Sequence, residues 1–379
     1  MQFVFFTDIP LNVRFGNFIY ARLPAALGAL GHNVKILVAH QNFEALPFAQ
    51  LPSNVEVYDV TTVDENSPHI EGDFLCLFTS PYFVHYPMVA ERVVGLLQND
   101  AFRKRFKKIV YWSADYWPDW IYNPQFVEVE GFLLSISHIR LANSPQNCVR
   151  LQKAYSVDVV GWLPNAACQE WLVSGAWQEG VEMQDLLSYL NRYNVLIVTS
   201  YHHREDAAKV FTLATKFKNL NFILVGKSAH LDCHCPPSGA AGSNVLCVGA
   251  QPNHVVKVLL QSALFCVVPS RRSWFAYYSD PTKWYLYHAG GVPILSMNVP
   301  HHKNYPQFYP YTLVAFDLEE GILQMLNALE SAKLPLRYTP SSVHDFIHRA
   351  QVFIDILHGD IGYGYAGKEG FVYGKYEAV

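Results

Sequence analysis

The sequence predicts an α/β protein of two similar halves, each a parallel sheet with crossover helices on both faces. Short apolar runs alternate with helix-length segments along the chain, which is the pattern of such sheets. The alternation occurs in two series separated by residues 162–193, which carry three tryptophans, a proline and two glycines. The 379 residues also exceed what one hydrophobic core usually organises, so two domains are expected.

Apolar periodicity and turn residues place the predicted elements along the chain. In the first half we expect strands near residues 2–7, 34–38, 55–58, 73–78, 108–112 and 139–142, and helices near 17–30, 87–98 and 145–154. In the second half we expect strands near 195–199, 221–225, 245–248, 263–268, 292–296 and 312–315, and helices near 205–217, 252–261, 282–289 and 319–331.

The domain boundaries follow from the break between the two series. We expect an N-terminal Rossmann-like domain over residues 1–165, an interdomain linker over 166–193 and a C-terminal Rossmann-like domain over 194–340. Residues 341–379 include a last helix near 343–357, which we expect to pack back on the N-terminal domain. The tail from Gly359 onward is rich in glycine and tyrosine and carries no strong structural signal.

Composition limits the classes of partner. The net charge is −4 and no polybasic tail is present, which argues against nucleic acid. Aromatic residues reach 15% while charged residues are only 16%, so we expect apolar surface that a partner, an acceptor or lipid covers. The seven cysteines are scattered mostly through apolar segments, which is typical of reduced thiols in a cytosolic protein. No run of eighteen apolar residues predicts a membrane span.

The segment from Asp280 to Leu295 predicts an anion site. It contains a short helix with Thr282 and Lys283 in the first turn, where free N–H groups and the positive end of the helix dipole attract anions. Gly290 and Gly291 permit the left-handed backbone that ends a helix before the next strand. The alternative is that Lys283 is a solvated helix residue.

Other candidates follow the ends of predicted strands, where open parallel sheets bind ligands. Arg271 and Arg272 would add two cations to Lys283 and suit a diphosphate, unless they are solvated or pair with Asp280. Further candidates near a nucleotide are Tyr201, Gly226 and Ser270, and those of the N-terminal domain are Asp8, Asn12 and Gly16. No metal is expected, because the segment from His230 to Cys235 lacks a second cysteine pair.

Asp115 is the candidate general base. It follows an apolar strand and stands among five aromatic residues at positions 111–120, so partial burial would raise its pKa toward that of an efficient base. The alternative is a helix cap or turn, and Asp8 is a rival in a similar position.

The segment from Arg103 to Lys108 carries five positive charges. These charges could bind anionic membrane lipid, or they could simply be the solvated end of a helix.

Two sequence patterns resemble those of known glycosyltransferases. The residues from Lys283 to Pro293 resemble the Lys-x-x-x-Tyr-x-x-x-Gly-x-Pro signature of bacterial polysaccharide enzymes of the GT-B fold, which has two Rossmann-like α/β/α domains facing a cleft. Val110-Tyr-Trp-Ser-Ala-Asp115 resembles the Val-Tyr-x-x-x-Asp context of the catalytic aspartate in the xanthan-type glucuronosyltransferase family. That family transfers a sugar to a lipid-linked oligosaccharide at the inner membrane face.

The resemblance implies a role for each matching residue. Asp115 would be the base, Lys283 would contact the diphosphate, and Tyr201, Ser270 and Thr282 would lie near the nucleotide. The N-terminal domain would bind the acceptor. Leu286 stands where many GT-B enzymes have a glutamate for the ribose hydroxyls, and Tyr278 and Leu286 replace the glutamate pair of retaining members. These departures favour inversion.

The expected function is therefore glycosyl transfer without a metal or other cofactor. The donor would be a UDP-linked sugar and the acceptor a glycan or a lipid-linked saccharide, in polysaccharide biosynthesis. We expect the protein in the cytoplasm, held peripherally on the inner membrane face through Arg103–Lys108, with no nucleic acid partner. The alternatives are a non-catalytic nucleotide-sugar or glycan binding protein and a sugar-nucleotide epimerase on the same fold.

Overall fold

The computed structural model describes residues 1–7, 19–38, 51–79, 87–114, 124–167, 193–199, 209–226, 244–249, 251 and 253–374. Their contacts divide the chain into two compact units. Unit 1 comprises Met1–Ala166, Tyr278–Asp280 and Val343–Glu377, and unit 2 comprises Ala167–Tyr277, Pro281–Ser342 and Ala378–Val379.

The described strands and helices include all twelve predicted strands, and some elements that were not predicted. The strands are β1 (Gln2–Thr7), β2 (Asn33–Val38), β3 (Val55–Asp59), β4 (Gly72–Thr79), β5 (Phe106–Ser113), β6 (Ile139–Ala142), β7 (Val160–Trp162), β8 (Asn194–Val198), β9 (Asn221–Val225), β10 (Val245–Cys247), β11 (Ala263–Val268), β12 (Ile294–Met297), β13 (Thr312–Ala315), β14 (Gly364–Gly367) and β15 (Gly370–Tyr373). The helices are α1 (Ile19–Ala29), α2 (Pro87–Gln98), α3 (Asp100–Arg103), α4 (Pro124–Ile136), α5 (Pro145–Tyr155), α6 (Lys209–Ala214), α7 (Asn253–Ser262), α8 (Trp274–Tyr278), α9 (Thr282–Ala289), α10 (Pro300–Asn304), α11 (Leu318–Glu330) and α12 (Phe346–Leu357).

Unit 1 contains a sheet in the order β15-β14-β7-β6-β5-β4-β1-β2-β3. Strands β1 to β7 are parallel, and the order outward from β1 is that of a doubly wound Rossmann-like sheet. Large aromatic side chains fill one of its faces, where Phe78 stacks on Trp112 at 5.2 Å between centroids. Helix α12 covers this region, and its Phe353 lies 5.7 Å from the Phe78 ring.

The sheet of unit 1 ends in a hairpin that the sequence did not predict. Strands β14 and β15 pair antiparallel, and β14 pairs antiparallel with β7. The tail beyond Gly359, which carries no strong structural signal in the sequence, therefore forms two strands. One of the glycines that weaken the strand signal is needed for packing, because a Cβ at Gly364 would lie 2.6 Å from the Val372 carbonyl oxygen.

Unit 2 contains a parallel sheet in the order β10-β9-β8-β11-β12-β13. This is again the strand order of a doubly wound sheet. Buried aliphatic and aromatic residues form its core, including Phe222, Phe265 and Leu295, with α11 contributing Ile322 and Met325. The predicted α/β fold with parallel sheets is thus confirmed.

The described cysteines are of two kinds. Cys76, Cys148 and Cys266 are buried free thiols, and burial raises the pKa of each thiol. Cys247 forms a disulfide bond. The expectation that the cysteines are reduced thiols is therefore wrong at this position.

The described helices are short. A bilayer span needs about 20 apolar residues, whereas α4 and α11 have 13 residues each. Among the residues with described coordinates, no helix is long and apolar enough to cross a membrane.

A buried ion pair joins α4 to α5 behind the end of β5. Arg150 donates two hydrogen bonds to the Glu130 carboxylate, at 2.8 and 2.9 Å. Tyr155 and Ser113 also donate to Glu130, at 2.8 and 3.2 Å. Burial raises the pKa of Glu130, but the Arg150 charge and these hydrogen bonds outweigh burial and hold the pKa below its usual value. Glu130 is therefore ionised and accepts hydrogen bonds from every other member of the network.

Substituting Glu130→Gln should destabilise the protein by about 3–5 kcal/mol, because the Arg150 charge would stay buried without a counter-ion. Urea denaturation followed by circular dichroism would measure the loss. Glu128→Gln, at an exposed position of the same helix, is the matched control and should change the free energy of unfolding by less than about 0.5 kcal/mol. Equal stability of the two variants would contradict the assigned role.

Candidate functional site

Unit 2 has a topological switch point between β8 and β11. Strands β9 and β10 lie on one side of this point, and β12 and β13 lie on the other. Open parallel sheets bind ligands outside the carboxyl ends of their strands at such a point, because the loops that leave the two central strands diverge there. The carboxyl ends of β8 and β11 are therefore the candidate site of unit 2.

Tyr287 joins helix α9 to both central strands. The paired residues of β8 and β11 end at Leu196 and Cys266. Beyond them, the buried Tyr287 hydroxyl accepts a hydrogen bond from the Val198 N–H at 2.8 Å and donates one to the Val267 carbonyl at 3.1 Å. The phenol thus gives partners to two backbone groups where the strands separate, and it fixes α9 to the switch point.

Lys283 lies one helical turn before Tyr287 on the same side of α9. The rise per residue places its Cα about 6 Å nearer the start of the helix. Because α9 ends next to the beginning of β12, it runs from the carboxyl edge of the sheet toward the amino edge. Lys283 and Thr282 are partly buried and lie in the first turn at the carboxyl edge. This position suits an anion-binding lysine.

Helix α9 ends in a left-handed glycine, as predicted, but only one of the two glycines takes this conformation. Gly291 has a φ of 65°, whereas Gly290 has a right-handed φ of −77°. The Val292 N–H donates to the Tyr287 carbonyl at 3.4 Å, which closes the last turn. A Cβ on Gly291 would lie 2.3 Å from the Tyr338 carbonyl oxygen, so space as well as φ requires glycine.

His288 fixes the same end of the helix as a neutral ring. Its Nε2 accepts a hydrogen bond from the Ser341 N–H at 3.1 Å, so the ring proton belongs on Nδ1, which lies 3.1 Å from the Tyr338 hydroxyl. Burial lowers the pKa of His288 to about 3. The ring also stacks on Trp284 at 4.9 Å between centroids.

The two predicted arginines follow β11 at the switch point. Arg271 and Arg272 are exposed, and Ser270 before them is partly buried. The Asn298 side chain, at the end of β12, donates to the Ser270 carbonyl at 2.7 Å. This bond holds the start of the arginine segment against the neighbouring strand.

Gly226 ends β9 with a φ of 146°, a backbone conformation that favours glycine. Its N–H donates to the Gly249 carbonyl at 2.7 Å. This bond continues the pairing of β9 and β10 beyond the ends of the two strands. Tyr201, the remaining candidate of this sheet, lies outside the described residues.

In unit 1 the switch point lies between β1 and β4. The predicted residues Asp8, Asn12 and Gly16 follow β1 in sequence, and Asp115 follows β5, which neighbours β4. All four lie outside the described residues, so their roles remain predictions.

A chain of buried polar groups holds the backbone that leads to Asp115. The Asn147 amide donates to the Ala114 carbonyl at 3.2 Å, and its oxygen accepts from Arg150 Nε at 2.8 Å. Arg150 is in turn held by Glu130. The last described residue of this strand end is therefore tied to the ion pair between α4 and α5.

The basic segment is largely engaged within unit 1. Four of its five side chains have intramolecular partners: Arg103 with Asp100, Arg105 with the carbonyls of Glu65 and Ser67, Lys107 with Asp73, and Lys108 with the Leu357 carbonyl. These contacts support a solvated, internally bonded surface. Contact with a membrane remains a prediction.

Sequence reasoning gave no role to three of the residues above. Tyr287 lies within the quoted signature, but only the separation of two strands reveals the use of its hydroxyl. Asn298 follows a predicted strand and could have been found as a strand-end residue. Asn147 stands three residues after Ser144, whose side chain accepts from its N–H at 3.1 Å, and it reads in sequence as part of an ordinary helix start.

Replacing Tyr287 with phenylalanine should destabilise the protein by about 1–3 kcal/mol, because two buried backbone groups would lose their partner. Urea denaturation would measure this loss. Tyr311→Phe, at an exposed position, is the control and should leave the midpoint nearly unchanged. Retained stability in the Tyr287→Phe variant would show that water or a backbone shift replaces the phenol.

Comparison with known proteins finds similarity in structure only. No protein-family model matches this sequence. No curated protein is significantly similar to it. Matches to solved structures are at 13% identity or below in the cases described next.

The similar structures are glycosyltransferases. Sucrose-phosphate synthase from Thermosynechococcus elongatus has a TM-score of 0.71 at 13% identity, over 94% of this chain and 98% of that chain. Anabaena HepE in complex with UDP-glucose has a TM-score of 0.66 at 12% identity, over 94% and 99% of the two chains. An alpha-glucosyltransferase in complex with UDP-glucose and DNA has a TM-score of 0.57 at 10% identity, over 93% of each. The chain therefore has the GT-B fold, with two Rossmann-like domains.

Proposed function

We propose that this protein is a glycosyltransferase that moves a sugar from a UDP-linked donor to a glycan or lipid-linked acceptor. The observation that carries the proposal is the switch point of unit 2. There helix α9, which carries Lys283 in its first turn, is tied by Tyr287 to the ends of β8 and β11, and Arg271 and Arg272 follow β11 at the same edge. Nucleotide diphosphates bind at such edges because cations and helix starts meet their charge.

The chemistry follows from these charges. An acceptor hydroxyl would attack the anomeric carbon of the donor sugar, and Asp115 would take the hydroxyl proton. The bond between that carbon and the diphosphate oxygen would break, and UDP would leave with the electron pair. Lys283, Arg271 and Arg272 would stabilise the charge that develops on the diphosphate, which is the role of a divalent ion in other transferases. We therefore propose a reaction without a metal and with inversion.

The finer assignments rest on sequence. The contexts of Asp115 and Lys283 support the xanthan-type family and polysaccharide biosynthesis, with the N-terminal domain over 1–165 binding the acceptor. A cytoplasmic protein, peripheral on the inner membrane face, would fit such an acceptor.

Leu286 supports a second candidate function. It is a partly buried residue of α9 at the position where many GT-B enzymes carry a glutamate, and its side chain cannot bond a ribose hydroxyl. A non-catalytic protein that binds nucleotide sugars or glycans would tolerate this residue. Binding of UDP without transfer to any acceptor would favour this candidate.

Asp115→Asn should lower turnover by about two to four orders of magnitude, because the amide cannot accept the acceptor proton. Transfer of labelled sugar from UDP-glucose to a bacterial membrane extract would measure turnover, and calorimetry should show unchanged UDP binding. Asp158→Asn, at an exposed position of unit 1, is the control. Full activity in the Asp115 variant would remove this residue from the mechanism.

Lys283→Met should weaken UDP binding by about 10- to 100-fold, the effect of losing one hydrogen bond to a charged group. Isothermal titration calorimetry would measure the Kd. Lys333→Met removes an exposed lysine of the same unit and should leave the Kd unchanged. Equal affinities of the two variants would assign Lys283 to solvated surface.

A further inference from the structure

Helix α8 displays two aromatic rings beside the arginines. Trp274 is 59% exposed and Tyr277 is 42% exposed. The other tryptophans with described side chains, Trp112, Trp162 and Trp284, are at most 1% exposed. An exposed tryptophan beside a second exposed ring, at the ligand-binding edge of a sheet, indicates a binding surface.

The two rings are held in place rather than merely exposed. Positions three apart lie on the same face of a helix, and the Trp274 and Tyr277 rings meet edge to face at 6.3 Å between centroids. Ala276, on another side of this single turn, is fully buried. One side of α8 thus anchors in unit 2 while another presents the rings.

Ser273 links this turn to the arginines. Its hydroxyl accepts from the Ala276 N–H at 3.2 Å and donates to the Arg271 carbonyl at 3.3 Å. The Tyr277 N–H donates to the Ser273 carbonyl at 3.1 Å. The aromatic rings and the arginine backbone therefore keep a fixed spacing.

We infer that Trp274 and Tyr277 form a stacking surface for a sugar ring that is linked to a phosphate. This inference rests on the proposed function, in which Arg271 and Arg272 bind phosphate. Trp274 follows Arg272 by two residues, a span of at most about 7 Å between Cα atoms. A ring this close to the arginines is within reach of the group bonded directly to the phosphate. The base of a nucleotide, separated from that phosphate by a ribose and a second phosphate, lies farther away.

The chemistry of the two rings suits this ligand. One face of a pyranose presents C–H groups that can lie on an indole or phenol ring, and the indole N–H and phenol hydroxyl can bond sugar hydroxyls. The arginines supply the charge that complements the phosphate. Two ligands share this chemistry, the sugar of the UDP-linked donor and a phosphate-linked saccharide that serves as acceptor.

Calorimetry with the full chain tests the inference and separates these two sources. The variants are Trp274→Ala, Trp274→Phe, which keeps a ring, and Phe316→Ala. Phe316 is 63% exposed and follows β13, an edge strand of the same sheet, so it is a matched control. The first arm compares the Kd of UDP-glucose with the Kd of UDP. The second arm measures the Kd of glucose 1-phosphate in the presence of saturating UDP.

Trp274→Ala should raise the Kd of one of the two sugar ligands by about threefold to tenfold, the range of a single aromatic contact. Trp274→Phe should recover most of the affinity, and Phe316→Ala should match the wild type. An effect on UDP-glucose but not on UDP assigns the surface to the donor sugar. An effect on glucose 1-phosphate with UDP bound assigns it to a second saccharide.

Two results would overturn the inference. Unchanged affinities in both arms would show that the rings bind no sugar, and an equal loss for UDP and UDP-glucose would assign Trp274 to the base. In either case UDP binding by the wild type would leave the proposed function standing. If the wild type binds no UDP, the nucleotide proposal fails, and glucose 1-phosphate alone decides the role of Trp274.

Discussion

The site of unit 2 depends on the hydrogen bonds of one phenol. Where β8 and β11 separate, backbone groups that would face each other in a continuous sheet need another partner. Tyr287 supplies it from α9, so the opening between the strands and the position of the helix are set by the same side chain. Lys283 is placed by this attachment, because an α-helix transmits position rigidly over a single turn.

Unit 1 shows the same arrangement with different chemistry. Its sheet has the same doubly wound order, and a side chain from a following helix again holds backbone at a strand end. Here Asn147 supplies the bond, and the buried pair of Glu130 and Arg150 stabilises it. In each unit a side chain from a following helix therefore fixes a strand end next to a candidate ligand edge. Unit 2 uses a neutral phenol, and unit 1 uses an amide held by a charged network.

Sequence patterns predicted the strands and helix ends that are determined by residues close together in the chain. Buried parallel strands are continuous apolar runs, so most strand positions agree with the structure within two residues, and Gly291 ends α9 as the Gly-Gly pair suggested. The β14–β15 hairpin was missed, because its glycines and tyrosines acquire strand structure only by pairing with β7. The contacts of Tyr287 and Asn147 could not be predicted, because each joins residues far apart in sequence.

The hairpin at the edge of unit 1 affects how the chain is made. Strand β14 pairs with β7 and follows every strand of the unit 2 sheet in sequence, so it leaves the ribosome after them. Until then β7 presents an uncovered row of backbone donors and acceptors, which is the kind of edge that recruits foreign strands. Synthesis therefore leaves the first sheet open at β7 after the strands of the second sheet, β8 to β13, have been made.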